Sequence, residues 1–413
     1  MSQRKLYKTL ETAASKNFGS DKELLIEIVN MLVEDEHINV DGGRVWKLNK
    51  EKMQYKLLFQ STKGKLLEND FSISIIDYDV FKRIGVERTV LAEETNKDLI
   101  GKGIHKYSAS GIGQRLQIND DYFYEYVIAL HSTKINRELK FALNIVATVL
   151  TAKLRERWLS ESRTNMKADL TKAQQLQRSI LPEHTIKFAD YDIFGITIPA
   201  LELGGDFFDY LPIGYDENRL GIVLGDAASK GLAAAAEAMY ISGAIRMAST
   251  FQLKISPMMN RINQLVNRIF SDDRFTTMFY CEISNDRKGL CLYGNAGHNP
   301  PLFVHAEKKE LVYLKATGPL LGPAPKARVD TDSINFLPND VLVIFSDGIT
   351  EAANEKFDMY EEARLEKVVL ANMDKSAKEI ALAIMQDVND FSTSESLYQD
   401  DKTIVVIKKD EKL

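Results

Sequence analysis

The chain has 413 residues, too many for one ordinary domain and enough for two or three, each with its own core. Hydrophobic residues make up 45% and charged residues 27%, the balance of a globular protein rather than a disordered or fibrous one. The net charge of -6 gives no electrostatic case for nucleic acid and no polybasic anchor for a membrane surface.

In chain order, the opening "MSQRKLYKTLETAASKNFGS" is polar and lacks the apolar core of a signal peptide. "DKELLIEIVNMLVED", 21 to 35, carries Leu24, Leu25, Ile28 and Leu32 at helical spacing. Strand-like pieces follow, "GGRVWKLNK", "YKLLFQS", "SISIIDYDV", "ERTVLAE" and "DYFYEYVIALHS", rich in β-branched and aromatic residues with turn residues between them. A helix from about 136 to 158 closes the unit. Its apolar run "FALNIVATVLTA" is short of the roughly 20 residues a membrane span needs, so the cytoplasm is the expected location. Helix, strands, helix describes an α+β module with one central sheet over residues 1–155.

Residues 156–182 read as a charged helical linker ended by Pro182. Met166, Leu170, Ala173, Gln177 and Ile180 make a short heptad seam, weak enough that a single solvated connector helix fits as well.

Residues 183–413 alternate apolar strands with two pairs of helices, at 231–250 and 257–271, then near 361–372 and 376–391. Ser256 is the expected N-cap of the second helix, with Pro257 at its first position. The turn "SNDRKG" between two strands indicates antiparallel pairing. The two cysteines, Cys281 and Cys291, lie on either side of it. They are able to face each other there, but free thiols in a reducing compartment are expected, and no Cys or His partner suggests zinc.

The most informative pattern is aspartate beside apolar strands. Asp206 opens "DFFDYLPI" after Gly204 and Gly205; Asp226 closes "GIVLG"; Asp347 closes "VLVIFS" before Gly348; Asp400 and Asp401 precede "KTIVVIKK". Aspartate is a poor strand former. Any one Asp-Gly pair is most often a turn. Several in one domain suggest carboxylates gathered around hard divalent cations, which prefer oxygen ligands and relieve the repulsion of clustered charges.

These pieces have an order. "LELGGDFFDY", "GDAASKGLAAA", "RFTTMFYCEI", "YGNAGHNPPLF", "GPLLG", "FSDGITEAAN" and "QDDKTIVVI" together resemble the stage II sporulation protein E-type serine phosphatases, bacterial members of the metal-dependent type 2C phosphatases. The resemblance covers roughly 160 to 410. It implies an α-β-β-α sandwich and two Mn²⁺ or Mg²⁺ ions that activate a water for in-line attack on a phosphoserine or phosphothreonine. By that resemblance Asp226 bridges both ions, the carbonyl of Ala227 completes one, and Asp347 and Asp400 bind the second. Asp206 acts on the first directly or through water, and Asp401 is a further ligand. His298 in "NAGHNPP" reads better as a loop-fixing group than as a general acid. Ala228 and Ser229 depart from the usual serine and glycine, and a positive φ at 229 would strain a serine.

The first module resembles a GAF sensory domain in architecture. It has no cysteine, so a thiol sensor or covalent bilin is not expected, and "NKDL" at 96–99 is too short for a cyclic-nucleotide signature. A dimerisation module without ligand is an equal alternative. The combined reading is α+β: a GAF-like domain, a helical linker and a sandwich phosphatase. Its expected substrate is a phosphorylated STAS-domain (anti-anti-sigma) protein, under control of the GAF-like domain, in a homodimer formed through that domain and the linker helices. The alternative is a pseudo-phosphatase that docks such a partner without turnover. "GKG" at 101–103 and "SGIGQ" at 110–114 lack a phosphate-loop pattern.

Overall fold

The computed structural model describes residues 16, 18–34, 40–132, 137–214, 216–270, 274–286, 288–392 and 400–411. The chain divides into two compact units, Met1–Asn165 and Met166–Leu413.

Unit 1 begins with helix α1, Asp21–Glu34, whose apolar stripe Leu24, Leu25, Ile28, Val29 and Leu32 is buried as its spacing requires. Six strands form one antiparallel sheet: β1 Gly42–Asn49, β2 Gln54–Thr62, β3 Ser72–Ser74, β4 Thr89–Glu93, β5 Lys106–Ile118 and β6 Asp121–His131. Their order is β3-β2-β1-β6-β5-β4. Helices α2, Val80–Glu87, and α3, Lys97–Gly101, fall between strands. Helix α4, Arg137–Ile180, is continuous over 44 residues, where the sequence reads as a closing helix and then a linker. Its buried residues stop at Leu154. One sheet face packs on α1 and the start of α4 through Val45, Ile112, Ile128, Leu143 and Val146. The other packs on α2 and α3 through Trp46, Leu57, Phe81, Ile84 and Leu99.

Three elements differ from expectation. The segment "SISIIDYDV" keeps only three strand residues. Helix α2 is short, eight residues with Val80, Phe81 and Ile84 at helical spacing, and it stands where the sequence reads as the end of that strand piece. Strand β5 has few β-formers at its centre, and Gly111 and Gly113 disguise it. Gly111 is required: a Cβ there would stand 2.1 Å from the Tyr124 ring on β6.

Unit 2 stacks two antiparallel sheets. The first is formed by β9 Phe207–Ile213, β10 Arg219–Ala227, β11 Thr276–Ser284, β12 Leu290–Ala296 and β15 Asp332–Asn335. It runs β15-β12-β11-β10-β9. The second is formed by β7 Thr185–Phe188, β8 Tyr191–Ile198, β13 Leu302–His305, β14 Glu310–Tyr313, β16 Val341–Phe345 and β17 Lys402–Lys409. It runs β14-β13-β16-β17-β8-β7. Between them lie Phe208, Tyr210, Leu220, Ile222, Leu224, Phe279, Leu342, Ile344, Val405 and Ile407. Helices α5, Leu232–Thr250, and α6, Ile255–Ile269, cover the first sheet through Ile241, Ile245, Met259 and Ile262. A four-residue turn of helix, α7 Asp347–Thr350, follows β16. Helices α8, Glu362–Asn372, and α9, Ala377–Phe391, cover the second sheet through Leu365, Val369, Ile380 and Ile384. The layers are therefore α-β-β-α.

Local signals behave as physics requires at one helix start and not at another. Ser376 caps α9, and Glu379 returns a bond to the Ser376 amide at 3.0 Å, a complete capping box. The expected cap at Ser256 is corrected: α6 starts at Ile255 with Lys254 as N-cap. Ile255 is buried, and carrying it into the core draws the helix start forward. Pro257 is still in the first turn, where its missing N–H breaks no bond. Cys281 and Cys291 are buried free thiols on paired strands β11 and β12. Among the described residues, no helix is long and apolar enough to cross a membrane.

Candidate metal centre

Strand parity explains the aspartates. Residues 220, 222 and 224 of β10 point between the sheets, so position 226 continues that inward row where the apolar filling ends. On β9, Phe208 and Tyr210 point inward, and Asp206 shares their parity. On β17, Val405 and Ile407 do, and Thr403 and Asp401 share theirs. Asp347 arrives from β16 as the first residue of α7, one step past Ser346. Asp206, Asp226, Asp347, Asp400 and Asp401 thus come from four strand ends.

Their proximity is visible in their electrostatics. Burial, then Asp347, Asp400 and Asp401, push the Asp226 carboxyl up to about 7. Burial, then Asp400 and Glu351, raise Asp347 to about 6. Asp206 is held well above the usual carboxylate range by burial, then by Asp226 and Asp401. Lys230 opposes this, its Nζ 3.1 Å from the Asp400 Oδ2.

The glycines of the motif are steric necessities. A Cβ on Gly205 would stand 2.8 Å from the Ala227 carbonyl oxygen and 3.1 Å from the Ala234 Cβ. A Cβ on Gly348 would stand 2.1 Å from the Asp401 carbonyl. Behind the loop, Ala234, Ala235 and Ala238 are at most 1% exposed, and their small side chains let α5 lie close against the sheet. Ser229 does not have a positive φ; Gly231, the N-cap of α5, does, at 67°. The departure at 229 therefore carries no backbone strain.

Two aspartates differ in what they are free to do. The Asp206 Oδ2 is buried without a hydrogen-bond partner, an orphaned acceptor of the kind a cation satisfies. Asp401 is occupied: its Oδ1 accepts from the Ala200 amide at 2.8 Å, and its Oδ2 from Gly205 at 2.6 Å and Asp206 at 3.2 Å. It fixes the Gly204–Asp206 loop. His298 is buried, and its pKa is pushed down to about 4 by that burial. Its ring Nδ1 meets the Thr277 Oγ1 at 2.8 Å and its amide donates to the Asn295 Oδ1 at 2.8 Å. That is the bonding of a group holding a turn, and a neutral imidazole at physiological pH is no proton donor of the imidazolium kind.

Among the described residues, no three Asp, Glu, His or Cys side chains converge at metal-ligand spacing. The fit to a hard divalent cation rests on the all-oxygen donor set, the orphaned Asp206 oxygen and the elevation of Asp226 and Asp347 by burial and neighbouring carboxylates.

Two groups near the site were not among the expected site residues, although Lys230 lies within the quoted motif and Gln177 within the heptad seam. Lys230 lies in an ordinary-looking turn. Gln177, near the end of α4, grips the loop from the other side: its Nε2 donates to the Gly204 carbonyl at 2.7 Å, and its Oε1 accepts from the Gly204 amide at 3.4 Å. Asp206 opens onto a groove of about 390 Å³ lined also by Gln177, Arg178, His184, Thr197 and Glu202.

Residues 216–410 match the family model for stage II sporulation protein E (SpoIIE). The phosphoserine phosphatase RsbU of Bacillus subtilis is 26% identical over 245 residues, 59% of this chain and 71% of RsbU. The phosphoserine phosphatase RsbP of the same organism is 26% identical over 191 residues, 45% of this chain and 46% of RsbP. The chain thus spans less than half the length of RsbP. The SiaA-PP2C domain of Pseudomonas aeruginosa superposes with a TM-score of 0.51 at 18% identity, over 60% of this chain and 99% of that domain, a likeness of fold.

Proposed function

With a carboxy-terminal domain that belongs to the stage II sporulation protein E-type serine phosphatases, we propose that this chain removes phosphate from serine on a regulatory protein. The proposed substrate is a STAS-domain anti-anti-sigma protein, and unit 1 controls the rate. The observation that carries the reading is the inward row of aspartates at the end of the sandwich, with Asp226 pushed up to about 7 largely by burial and by other carboxylates. Such an arrangement gains from a divalent cation what it lacks in countercharge.

Two Mn²⁺ or Mg²⁺ ions, when bound, would neutralise phosphate oxygens and acidify a water for in-line displacement. The residues of the chain supply the rest. Asp226 and Ala227 offer ligands from one strand end, and Asp347 and Asp400 from two others. Asp401 ties down the amides of Gly205 and Asp206, so that the Asp206 carboxyl keeps its direction. The groove beside Asp206 contains Arg178, a charge suited to the phosphate or acidic flank of a protein substrate.

For control, α4 is the proposed lever. Gln177 holds Gly204, and the Arg246 Nη2 donates to the Ile180 carbonyl at 2.5 Å, so a shift of this helix end reaches the Asp206 loop. Leu159, Met166 and Leu176 are exposed on the same helix, which supports a homodimer through α4 and unit 1. The deciding assay is phosphate release from a phosphorylated STAS protein in Mn²⁺, with the full chain and its Asp226→Asn and Asp347→Asn variants. Loss of at least 100-fold in both variants is expected. Equal background rates in all three would replace the enzyme with a docking scaffold.

A further inference from the structure

The turn that joins β10 to α5 carries Asp226 at one end and Lys230 at the other. The Lys230 Nζ stands 3.1 Å from the Oδ2 of Asp400, which lies just ahead of β17 in the other sheet, so the ion pair closes across the aspartate cluster. Burial and neighbouring carboxylates raise Asp226 and Asp347, and the Lys230 charge opposes that rise at both. One ammonium thus faces three carboxylates from three strand ends.

The oxygen that Lys230 holds is the informative one. The Asp400 Oδ1 accepts from the Asp401 amide at 3.0 Å and is fixed by it. Lys230 takes the Oδ2, the oxygen left for a cation, and stands where that cation would approach. Stability does not explain the pair. The two side chains are 65% and 47% exposed, and an ion pair so open to water contributes little to folding. Lysine is a compact point charge on a flexible stem, able to leave one anion for another, and it is a common phosphate binder. An ammonium and a divalent cation repel, so the two do not share one carboxylate oxygen.

We propose that Lys230 is a substrate-binding residue with two positions. It rests on Asp400 in the metal-free protein, and it pairs with the phosphoryl oxygens of the substrate once Asp400 is given over to a divalent cation. This deepens the phosphatase reading and rests on it. In the first position Lys230 supplies countercharge to a cluster that lacks it; in the second the same charge meets the dianion that the substrate brings. One substitution then has two opposite effects. Removing the ammonium frees the Asp400 Oδ2 for the cation and takes a partner away from the phosphate.

The test titrates the full chain and its Lys230→Met and Lys230→Arg variants with Mn²⁺ alone. Each is then loaded with Mn²⁺ and titrated with inorganic phosphate, with sodium chloride at equal ionic strength as control. Isothermal calorimetry reads both titrations, and neither needs turnover. Lys230→Met should bind Mn²⁺ about 3–5-fold tighter. It should bind phosphate about 10-fold weaker, and its KM for p-nitrophenyl phosphate should rise by a similar factor. Lys230→Arg keeps the charge and should stay within about 3-fold of the parent in phosphate affinity. A merely structural lysine would lower both affinities together or change neither, and either result overturns the proposal. So does a Lys230→Met that gains Mn²⁺ affinity yet holds phosphate as the parent does, or a Mn²⁺-loaded parent that binds no phosphate. Failure of the phosphatase reading looks different. Opposite shifts in Lys230→Met, with no phosphate released by the parent from p-nitrophenyl phosphate or a phosphorylated STAS protein, would uphold Lys230 and overturn only the enzyme. An active parent whose Lys230→Met variant keeps both affinities would overturn only the assignment of Lys230.

Discussion

Replacing Asp226 by Asn should stabilise the metal-free protein at alkaline pH while destroying its response to metal. In the folded chain the Asp226 carboxyl is pushed up to about 7 from an ordinary 3.8, by burial first and then by Asp347, Asp400 and Asp401. A raised pKa means that the fold holds the proton more tightly than the unfolded chain does. The corresponding stability is fully present below 3.8 and is lost as pH rises through about 7. At about 1.36 kcal/mol per pKa unit, three units are worth roughly 4 kcal/mol, and sharing among coupled carboxyls brings the expected loss to about 2–4 kcal/mol. The substituted amide does not ionise and has the shape of the protonated acid. In chelator at pH 5, already about 1.2 units above 3.8, Asp226→Asn should therefore unfold only slightly higher than the parent, by roughly 1–2 kcal/mol. At pH 8 the variant should be higher by about 5–10 °C for a unit of this size. Adding Mn²⁺ at pH 8 should raise the parent's unfolding temperature and leave the variant's nearly unchanged, since the ions replace the lost proton only where the carboxylate can bind them. Circular dichroism melts in the two buffers, with and without metal, read all four conditions. A variant less stable than the parent at pH 8 in chelator, or a metal shift of equal size in both, would refute the reasoning.

Other substitutions test neighbouring steps. Gly205→Ala puts a methyl 2.8 Å from the Ala227 oxygen and should weaken Mn²⁺ activation at least 10-fold, with about 1–3 kcal/mol of stability lost by urea unfolding. Gln177→Ala releases Gly204 and should raise the Mn²⁺ concentration giving half-maximal activity several-fold, with unfolding shifted by about 1 kcal/mol. Ser376→Ala removes the α9 capping box, and about 0.5–2 kcal/mol should be lost in denaturant melts at unchanged turnover. Cys281 and Cys291 are both 0% exposed, so a thiol reagent should label them only on unfolding; fast labelling of the native protein would contradict the packing between β11 and β12.

The sandwich was legible because its strands carry strong signals: "GIVLG", "VLVIF" and "TIVVI" are apolar runs with β-branched residues and abrupt ends. Unit 1 was less so. Strand β5 reads "KYSASGIGQRLQI", and at Gly111 the small residue is there because the Tyr124 ring of the neighbouring strand needs the room. Propensity sees only the small residues, while tertiary packing sees the gap they leave. Helix α4 has the opposite difficulty. Its amphipathic first half and charged second half look like separate elements, because burial changes along it while the backbone does not.

The aspartates show how far local pattern carries. Adjacency to glycine made them candidates, but the same pattern equally describes turns. Counting by two from the apolar residues of each strand does better: it sends Asp206, Asp226 and Asp401 to the inner face with Phe208, Leu224 and Val405, and that count needs no coordinates. What it does not separate is a carboxylate with a free oxygen from one already spent. Asp401 and Asp206 have the same residue type, the same inward parity and burial to below a tenth exposed, yet Asp401 accepts three backbone N–H groups while the Asp206 Oδ2 accepts none. The difference comes from the path of the Gly204–Gly205 loop, which crosses over Asp401 and turns its amides inward. It follows that Asp401→Asn and Asp206→Asn should fail differently. Asp401→Asn keeps one side-chain oxygen but sets an amide nitrogen against a backbone N–H, so the loop loosens and stability drops by about 1–3 kcal/mol, with or without metal. Asp206→Asn replaces a carboxyl whose ionisation burial, Asp226 and Asp401 all oppose, so the metal-free protein should not lose stability at pH 8, while the metal response is lost. Melts of both variants at pH 8, in chelator and in Mn²⁺, separate a carboxylate that holds the loop from one that waits for a cation. If Asp401→Asn were the stabilised variant, the two assignments would have to be exchanged.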